Sequence, residues 1–348
     1  MNFASDNWAG AHPAINKALA AQDGFATAYG QSELDRAVEE RFCEIFEREV
    51  AVFFVATGTA ANSLSMALVN RPGGVIFTHE QAHMHEDECG APEYLTGGAR
   101  ICGIHGPLGR IDSASLDAAI RRYPAEFVHA GQPMTASITQ STEIGTIYTL
   151  DEITAIAETC RAHDLPLHMD GARFANALVA LGTTPAEMTW KRGVDILSFG
   201  ATKNGCWCAE AVVVFDPAKA RDMPFLRKRA AHLFSKSRFI AAQFDAYFSN
   251  ELWLKNARHA NAMATRLAEH FENADHVRLL RKPQANEIFA ILDEAAAKKL
   301  TDEEVSFHPW TMPEDSQKEL RPDEALYRFV TSFATTAEDV DALGAILG

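Results

Sequence analysis

An aspartate and a lysine stand at the ends of two neighbouring apolar runs in the middle of the sequence. Asp170 closes the run LPLHMD, and Lys203 follows the run VDILSF after three small residues. A strand-end carboxylate can keep a pyridine nitrogen protonated, and a desolvated lysine amine can form a Schiff base with an aldehyde. The pair therefore predicts a site for pyridoxal 5'-phosphate (PLP), whose ring nitrogen and aldehyde need these two groups.

Each of the two residues also has an ordinary structural interpretation. A lysine after a strand is usually a solvated loop residue, and Asp170 can serve as the cap of a helix that begins near Ala172. A buried aspartate stays ionised only beside a cation or strong hydrogen-bond donors. The pair in this order favours the cofactor interpretation more than either residue alone.

The elements that would position this pair belong to an α/β sheet. Continuous apolar runs of this length are typical of buried strands, and open α/β sheets bind ligands at the carboxyl ends of their strands. Strand and helix alternate from about residue 51 to 205, which predicts a mainly parallel sheet with helices on both faces. The next run, AEAVVVF, follows the lysine loop so closely that it is a candidate antiparallel strand.

A turn near the start of this alternation is a candidate phosphate site. The run AVFFVA (residues 51–56) is followed at once by TGTAAN and an apolar helix through Val69. A glycine-containing turn that opens a helix presents free backbone N–H groups at the positive end of the helix dipole. Gly58 and Thr59 can therefore hold a phosphate, although an ordinary strand-to-helix turn with a threonine cap is the alternative.

The segment HEQAHMHEDECGAPE places three histidines among several carboxylates. No familiar ligand spacing such as HExxH is present, so the segment does not predict a metal site. A flat imidazole over a cofactor ring is the better use of this segment, and His83 is the candidate.

Bulk properties exclude several classes of protein. With 32 basic and 47 acidic residues, the net charge of −15 argues against partners such as nucleic acid or an anionic membrane surface. No window approaches a membrane span, and the first residues lack the basic and apolar segments of a signal peptide. Six cysteines form no disulfide framework in a chain of 348 residues. We therefore expect a cytoplasmic protein with free, buried thiols.

The length predicts a large and a smaller domain. We expect an N-terminal arm and helix over residues 1–24 that pack with the small domain, a large PLP-binding domain over 25–245 and a small α+β domain over 246–348. Within them, we expect a strand in EFVHAGQP and a largely helical segment from Phe225 to Asn273.

Several segments, taken in order, resemble a known family. TGTAAN, AHMHEDECGAP, HMDGAR, the lysine in TKNG, and RFVTSFATT resemble the PLP-dependent threonine aldolases, relatives of the aromatic amino-acid β-eliminating lyases with the aspartate-aminotransferase fold. The resemblance covers nearly the whole chain and is strongest to bacterial low-specificity L-threonine aldolases. It implies PLP fold type I, with a mainly parallel seven-stranded type of sheet. It also implies a homodimer or homotetramer with active sites at subunit interfaces.

The resemblance implies a role for each matching residue. Lys203 would bind PLP covalently, Asp170 would keep the ring nitrogen protonated, and His83 would stack on the ring. The substrate carboxylate would bind to arginines. Tyr29 would lie near the substrate, and either the same chain or a neighbouring chain would donate it. The expected site residues are Lys203, His83, Asp170 and His85 for catalysis; Gly58, Thr59, His83, Asp170, Arg173, Thr202, Lys203 and Lys236 for the cofactor; and Ser5, Tyr29, Arg173, Arg328 and Thr142 for the substrate.

The sequence departs from the family pattern at two places. Many members carry a histidine in a THN motif near the substrate β-hydroxyl, whereas this chain reads QST and places Thr142 there. The proton acceptor is therefore open among His83, His85 and a bound water. Many members also carry an arginine near the phosphate, whereas this chain has Ser235 with Lys236 beside it.

The reaction implied by the resemblance is retro-aldol cleavage of a β-hydroxy-α-amino acid to glycine and an aldehyde. Another PLP reaction on the same scaffold is an alternative, because β-eliminating lyases, racemases and transaminases share the lysine and aspartate. A catalytically silent α/β binding protein is the alternative from another class. The intact Lys203, Asp170 and Arg173 argue against it.

Overall fold

A computed structural model of the chain describes residues 1–348, except for the side chains of residues 315 and 319. Its largest sheet consists, over these described residues, of seven strands: β1 (Ala51–Val55), β2 (Gly74–His79), β3 (Arg100–Ile104), β4 (Gln132–Thr139), β5 (Leu167–Gly171), β6 (Ile196–Gly200) and β7 (Glu210–Val214). The spatial order is β1-β7-β6-β5-β4-β2-β3. Strand β7 runs opposite to the other six strands, and it pairs antiparallel with β1 and β6. This confirms the predicted mainly parallel sheet and the antiparallel return after the lysine loop.

Helices cover both faces of this sheet. The helices of the described chain are α1 (Pro13–Ala20), α2 (Glu33–Ile45), α3 (Gly58–Leu68), α4 (His83–Glu86), α5 (Ala91–Thr96), α6 (Ser113–Arg121), α7 (Leu150–Ala162), α8 (Phe174–Leu181), α9 (Pro185–Met188), α10 (Met223–Arg229), α11 (Arg238–Phe248), α12 (Leu252–Glu272), α13 (Glu294–Asp302) and α14 (Ala337–Leu347). Successive strand residues point to opposite faces. Leu197 of β6 therefore packs in the core with α2, α7 and α11, whereas Ile196 packs with α3 and α10.

An aromatic cluster anchors β6, the strand that leads to Lys203. Phe199 is fully buried, and its ring centroid lies 5.3 Å from that of Phe42 on α2 and 5.3 Å from that of Phe174 on α8. Phe244 of α11 lies 6.0 Å away on the same side. Offset and edge-to-face pairs of this kind are favourable beyond the area they bury. The end of β6 is thus held by three helices.

A second sheet forms the smaller domain. In the described chain its strands are β8 (Val277–Leu279), β9 (Glu287–Asp293), β10 (His308–Pro309) and β11 (Glu324–Val330), in the antiparallel order β10-β11-β9-β8. One face packs against α13 and α14, and α12 contributes residues to both cores. Phe3 of the N-terminal arm is buried here, and its carbonyl oxygen accepts the N–H of Val330 at 2.8 Å. The boundary at residue 245 stays a prediction.

The strand expected in EFVHAGQP was wrong, whereas the largely helical segment from Phe225 to Asn273 is confirmed. Residues 124–131 form turns, with Phe127 and Val128 exposed, and β4 begins only at Gln132. The helical segment after Phe225 is interrupted between α10 and α11 and again before α12. Ala231, after α10, has a positive φ, and so have Asn250 and Glu251 before α12. These three residues therefore leave the helical conformation.

The thiols are free, as expected, but most of them are not buried, and Cys89 is exposed. All six cysteines are free, and Cys160 and Cys206 are buried. Among the described residues, no helix is long and apolar enough to cross a membrane.

The aromatic cluster generates a test of the fold. We expect Phe199→Ala to lower the free energy of unfolding by about 3–5 kcal/mol, because a fully buried ring is replaced by a cavity. Urea titration followed by circular dichroism measures the change. Phe127→Ala, in an exposed turn, is the control and should shift the free energy by less than about 0.5 kcal/mol. Equal effects of the two substitutions would contradict the packing described.

Candidate active site

A cavity of about 440 Å³ opens at the carboxyl ends of the parallel strands and is bordered on its other side by the small domain. Nine of the residues expected from the sequence line it: Ser5, Gly58, Thr59, His83, Asp170, Arg173, Thr202, Lys203 and Arg328. A larger cavity of about 670 Å³ lies at the opposite edge of the sheet, beside Pro166 and Asp195, and none of the expected residues lines it. Because α/β sheets bind ligands at their carboxyl edge, the smaller cavity is the candidate site.

Two glycines let the aspartate and lysine turns approach each other. Asp170 pairs with Ser198 across β5 and β6, and Lys203 lies in a short 3₁₀ turn after β6. A Cβ at Gly200 would lie 2.6 Å from the carbonyl oxygen of Ala172, and a Cβ at Gly171 would lie 2.8 Å from that of Ser198. Any larger residue at these positions would push the two turns apart.

Asp170 is held by a hydrogen-bond network that reaches His83. Asn62 Nδ2 donates to Asp170 Oδ2 at 2.7 Å and to Glu88 Oε1 at 2.8 Å. Glu88 Oε1 also accepts a hydrogen bond from His83 Nδ1 at 2.9 Å, and this bond raises the pKa of His83. The backbone N–H of Ala172 donates to Asp170 Oδ1 at 3.0 Å. These donors fix the orientation of the aspartate side chain towards the cavity.

The histidine that precedes Asp170 in the HMDGAR segment has a core position. His168 Nδ1 lies 2.8 Å from Ser137 Oγ, and its Nε2 lies 2.9 Å from Ser198 Oγ. Burial lowers the pKa of His168 to about 4. A neutral imidazole between two hydroxyl groups therefore links β4, β5 and β6 beneath the site.

The first turn of α3 faces the cavity. Gly58 is its first residue, and the Thr57 hydroxyl caps the helix by accepting the N–H of Ala60 at 3.2 Å. No atom lies within 4 Å of a Cβ built on Gly58, so the backbone there is open to a ligand. The N–H groups at the start of a helix have no partner within the helix, and the helix dipole favours an anion. Gly58 and Thr59 thus offer an anion site.

The two expected arginines have different surroundings. Arg173 donates from Nε and Nη2 to both oxygens of Asp6, at 2.8 and 3.0 Å, and its Nη1 lies 3.1 Å from Glu287 Oε1. Arg328 lies over the ring of Trp310 at 4.2 Å, and the nearest Glu287 oxygen is 3.9 Å away. Its buried Nε has no hydrogen-bond partner among the described residues. Arg328 therefore keeps donors for a ligand, whereas Arg173 is largely occupied.

Arg173 and its two carboxyl partners, Asp6 and Glu287, form a buried ionic group in which each charge affects the pKa of the others. Burial opposes ionisation of Asp6, yet Arg173 and Lys203 lower its pKa. Burial raises the pKa of Glu287 against the attraction of Arg173 and Arg328. The Arg173 guanidinium is thus the cation that compensates two buried carboxyl groups.

Four expected residues do not line this cavity. The Thr142 hydroxyl is bonded to Thr146 Oγ1 at 2.8 Å within a buried turn, and His85 Nδ1 donates to the Glu80 carbonyl at 2.8 Å. Lys236 lies in the loop before α11. Tyr29 is half-exposed, and its backbone N–H donates to the Ser235 carbonyl at 3.1 Å.

The structure adds polar residues that the sequence interpretation missed: Asn62, Glu88, Glu143, Glu210 and Glu287 all line the cavity. Asn62 had a detectable signal, because it follows Gly58 by four residues and therefore lies on the same face of α3. Glu143 follows Thr142 directly in the segment TQSTEIG, so a shift of one residue would have found it. Glu287 had no local signal, since its partners come from distant parts of the chain.

Comparison with known proteins gives consistent matches. The family model described as "Beta-eliminating lyase" matches residues 2–295. A low specificity L-threonine aldolase of Pseudomonas aeruginosa is 40% identical over 302 residues, which is 86% of each chain. The threonine aldolase of Leishmania major has a TM-score of 0.91 at 27% identity, over 99% of this chain and 98% of that chain. The serine palmitoyltransferase of Sphingomonas wittichii, at 17% identity and a TM-score of 0.70 over 100% of this chain and 86% of that chain, shows the fold alone.

The buried charge group generates a stability prediction. We expect Arg173→Met to lower the free energy of unfolding by roughly 3–5 kcal/mol at pH 7, because Asp6 and Glu287 lose their buried cation. Without it, the folded-state pKa values of the two carboxyl groups lie above their unfolded values. The deficit should therefore shrink as the pH falls towards 5 and the groups become protonated.

Urea titrations of both proteins at pH 5 and pH 7 measure this effect. Arg328→Met is the control, because it leaves the contacts of Arg173 to both carboxylates in place and should cost less. Similar losses for the two variants, or a deficit independent of pH, would contradict the assignment of Arg173 as the compensating cation.

Proposed function

Because this chain belongs to the β-eliminating lyase family, we propose that it is a PLP-dependent aldolase. Its substrates are L-threonine, L-allo-threonine and related β-hydroxy-α-amino acids such as phenylserine, which it cleaves to glycine and an aldehyde. The observation that carries the proposal is the placement of Asp170, Lys203 and Arg328 around one cavity. The printed name of the Pseudomonas aeruginosa relative supports the same activity.

The donor set of the cavity fits PLP at three points. The N–H groups of Gly58 and Thr59 would hold the phosphate at the start of α3, where a Cβ would otherwise fill the space. Asp170, supported by the amide of Asn62, would hold the protonated ring nitrogen. Lys203 would bind the aldehyde carbon. A site lacking any of these groups would not hold the cofactor in the same way.

The residues around the cofactor would determine which bond breaks. When bound, PLP supplies an electron sink for the pair of electrons left on Cα. Arg328 would bind the substrate carboxylate through its free donors and so fix the rotation about the bond from Cα to nitrogen. His83, fixed by Glu88, would lie against the ring face. Rotation that presents the Cα–Cβ bond to the electron sink favours aldol cleavage over loss of a proton or of the carboxylate.

We also infer that the active protein is a homodimer or homotetramer whose sites lie at subunit interfaces. Tyr29 lies outside the cavity of its own chain, half-exposed, with Lys228 Nζ 5.4 Å from its ring. The large apolar side chains of Phe25, Trp207 and Phe225 are also exposed on this chain. A second copy would cover apolar surface of this kind and bring its own Tyr29 to the site.

Product analysis tests the proposed reaction. The purified holoenzyme should convert threonine, allo-threonine and phenylserine to glycine and the matching aldehyde, measured by chromatography of the amino acid and by reduction of the aldehyde. Serine is the comparison substrate for elimination, which would release ammonia and a 2-oxo acid. Formation of 2-oxo acids without glycine would replace the aldolase assignment by a β-eliminating one, and a protein that stays colourless with PLP would support the binding-protein alternative.

Two substitutions test the cofactor residues. Lys203→Ala should abolish the visible absorption of lysine-bound PLP and the attachment of PLP to a peptide after borohydride reduction. Asp170→Asn should retain this attachment but slow threonine cleavage by roughly 10²–10³-fold, because a neutral amide does not keep the ring nitrogen protonated. Lys219→Ala, at the opposite edge of the sheet, is the matched lysine control. Full activity of Asp170→Asn would contradict the assignment of Asp170 as the partner of the ring nitrogen.

A further inference from the structure

Glu143 is a carboxyl group of the cavity that the contacts assigned so far leave unused. It lies in the loop that follows β4, and its Oε1 accepts the backbone N–H of His83 at 2.7 Å. Its Oε2 is shielded from solvent and has no hydrogen-bond partner within the described part of the chain. One oxygen therefore fixes the side chain beside His83, and the other has unused hydrogen-bonding capacity at the wall of the cavity.

The other candidates for a proton acceptor are occupied or lie elsewhere. The hydroxyl of Thr142 is bonded to Thr146, and His85 does not line the cavity. His83 donates from Nδ1 to Glu88, and its raised pKa favours the protonated form, which cannot accept a further proton.

Glu88 also has a buried oxygen without a partner among the described residues, but its other oxygen already accepts hydrogen bonds from Asn62 and His83. Within the same part of the chain, Glu143 accepts only the backbone N–H of His83 and is not paired with a charged side chain, so it is the carboxyl group beside His83 that is better placed to act as a base.

We propose that Glu143 accepts the β-hydroxyl proton of the substrate during Cα–Cβ cleavage. The inference rests on the proposed aldolase function and names its proton acceptor. The substrate O–H bond breaks, its electron pair becomes the second bond of the aldehyde carbonyl, and the proton passes to the Glu143 carboxylate. The electron pair of the Cα–Cβ bond stays on Cα, for which bound PLP would supply the electron sink, and a proton from solvent added to Cα gives glycine. In the reverse direction Glu143 returns the proton to the new hydroxyl group.

The surroundings of Glu143 suit this exchange near neutral pH. Burial raises the pKa of Glu143 to about 7, with a further increase from the charge of Asp170, while the N–H and the charge of His83 act in the opposite sense. Arg173 and Tyr148 are further titratable groups that interact with Glu143. A base with a pKa near the working pH both accepts and returns a proton readily. Ionisation of Glu143 should make cleavage faster as the pH rises through about 7.

The test compares Glu143→Gln and Glu143→Asp with the parent holoenzyme, and uses Glu126→Gln in an exposed turn as the matched control. Cleavage of phenylserine should fall by about 10²–10⁴-fold in Glu143→Gln, with partial recovery in Glu143→Asp. The rising limb of kcat/KM near pH 7 should disappear in Glu143→Gln. Exchange of the glycine α-proton into D₂O, which involves no β-hydroxyl group, should stay close to that of the parent.

Cofactor binding gives a readout that is independent of turnover. The PLP dissociation constant of Glu143→Gln, measured by fluorescence titration of the apoprotein, should match that of the parent. A parallel loss of α-proton exchange or of PLP affinity would show that Glu143 is structural and overturn the proposal. Retained cleavage in Glu143→Gln would also overturn it. A parent that exchanges glycine but cleaves no β-hydroxy-α-amino acid would instead overturn the aldolase function, and this inference with it.

Discussion

The close contact between the turns that follow β5 and β6 is the constraint on which the site depends. Gly200 lies against Ala172, so the backbone that carries Asp170 and the backbone that carries Lys203 touch without intervening side chains. Phe199 holds the end of β6 in an aromatic cluster with helices on one face of the sheet. Packing in the core and the lack of a side chain at Gly200 thus place the carboxylate of Asp170 and the amine of Lys203 around one cavity. The remaining groups of the site are arranged about this pair.

Some buried polar groups of the site are held by contacts within the chain, whereas others keep free hydrogen-bonding capacity. Asp170 has the amide of Asn62, and Arg173 compensates Asp6 and Glu287. These contacts keep otherwise costly buried charges stable. Arg328 keeps an open donor and Glu143 keeps an open acceptor. The division suits a site in which some ionic groups maintain the structure while others meet the substrate.

The N-terminal arm connects the two domains at the same place. Phe3 is buried in the small-domain core and accepts the N–H of Val330, two residues after Arg328. Three residues later, Asp6 binds Arg173 of the large domain. The arm therefore fixes the small-domain strand that bears Arg328 relative to Arg173, which follows the strand that bears Asp170. A carboxylate site shared between two domains needs such a connection, because its geometry depends on their relative position.

The sequence by itself determined the α/β sheet and the cavity positions of Gly58, Asp170 and Lys203. Apolar runs identify parallel strands, and the carboxyl ends of parallel strands meet at one edge of the sheet. Only the tertiary structure decided that Glu143, and not its neighbour Thr142, lines the cavity, because the loop after β4 determines which side chain faces inward. It also decided that Arg173 is occupied by Asp6, a residue 167 positions away. Local patterns carry no information about such pairings, since long-range packing brings the partners together.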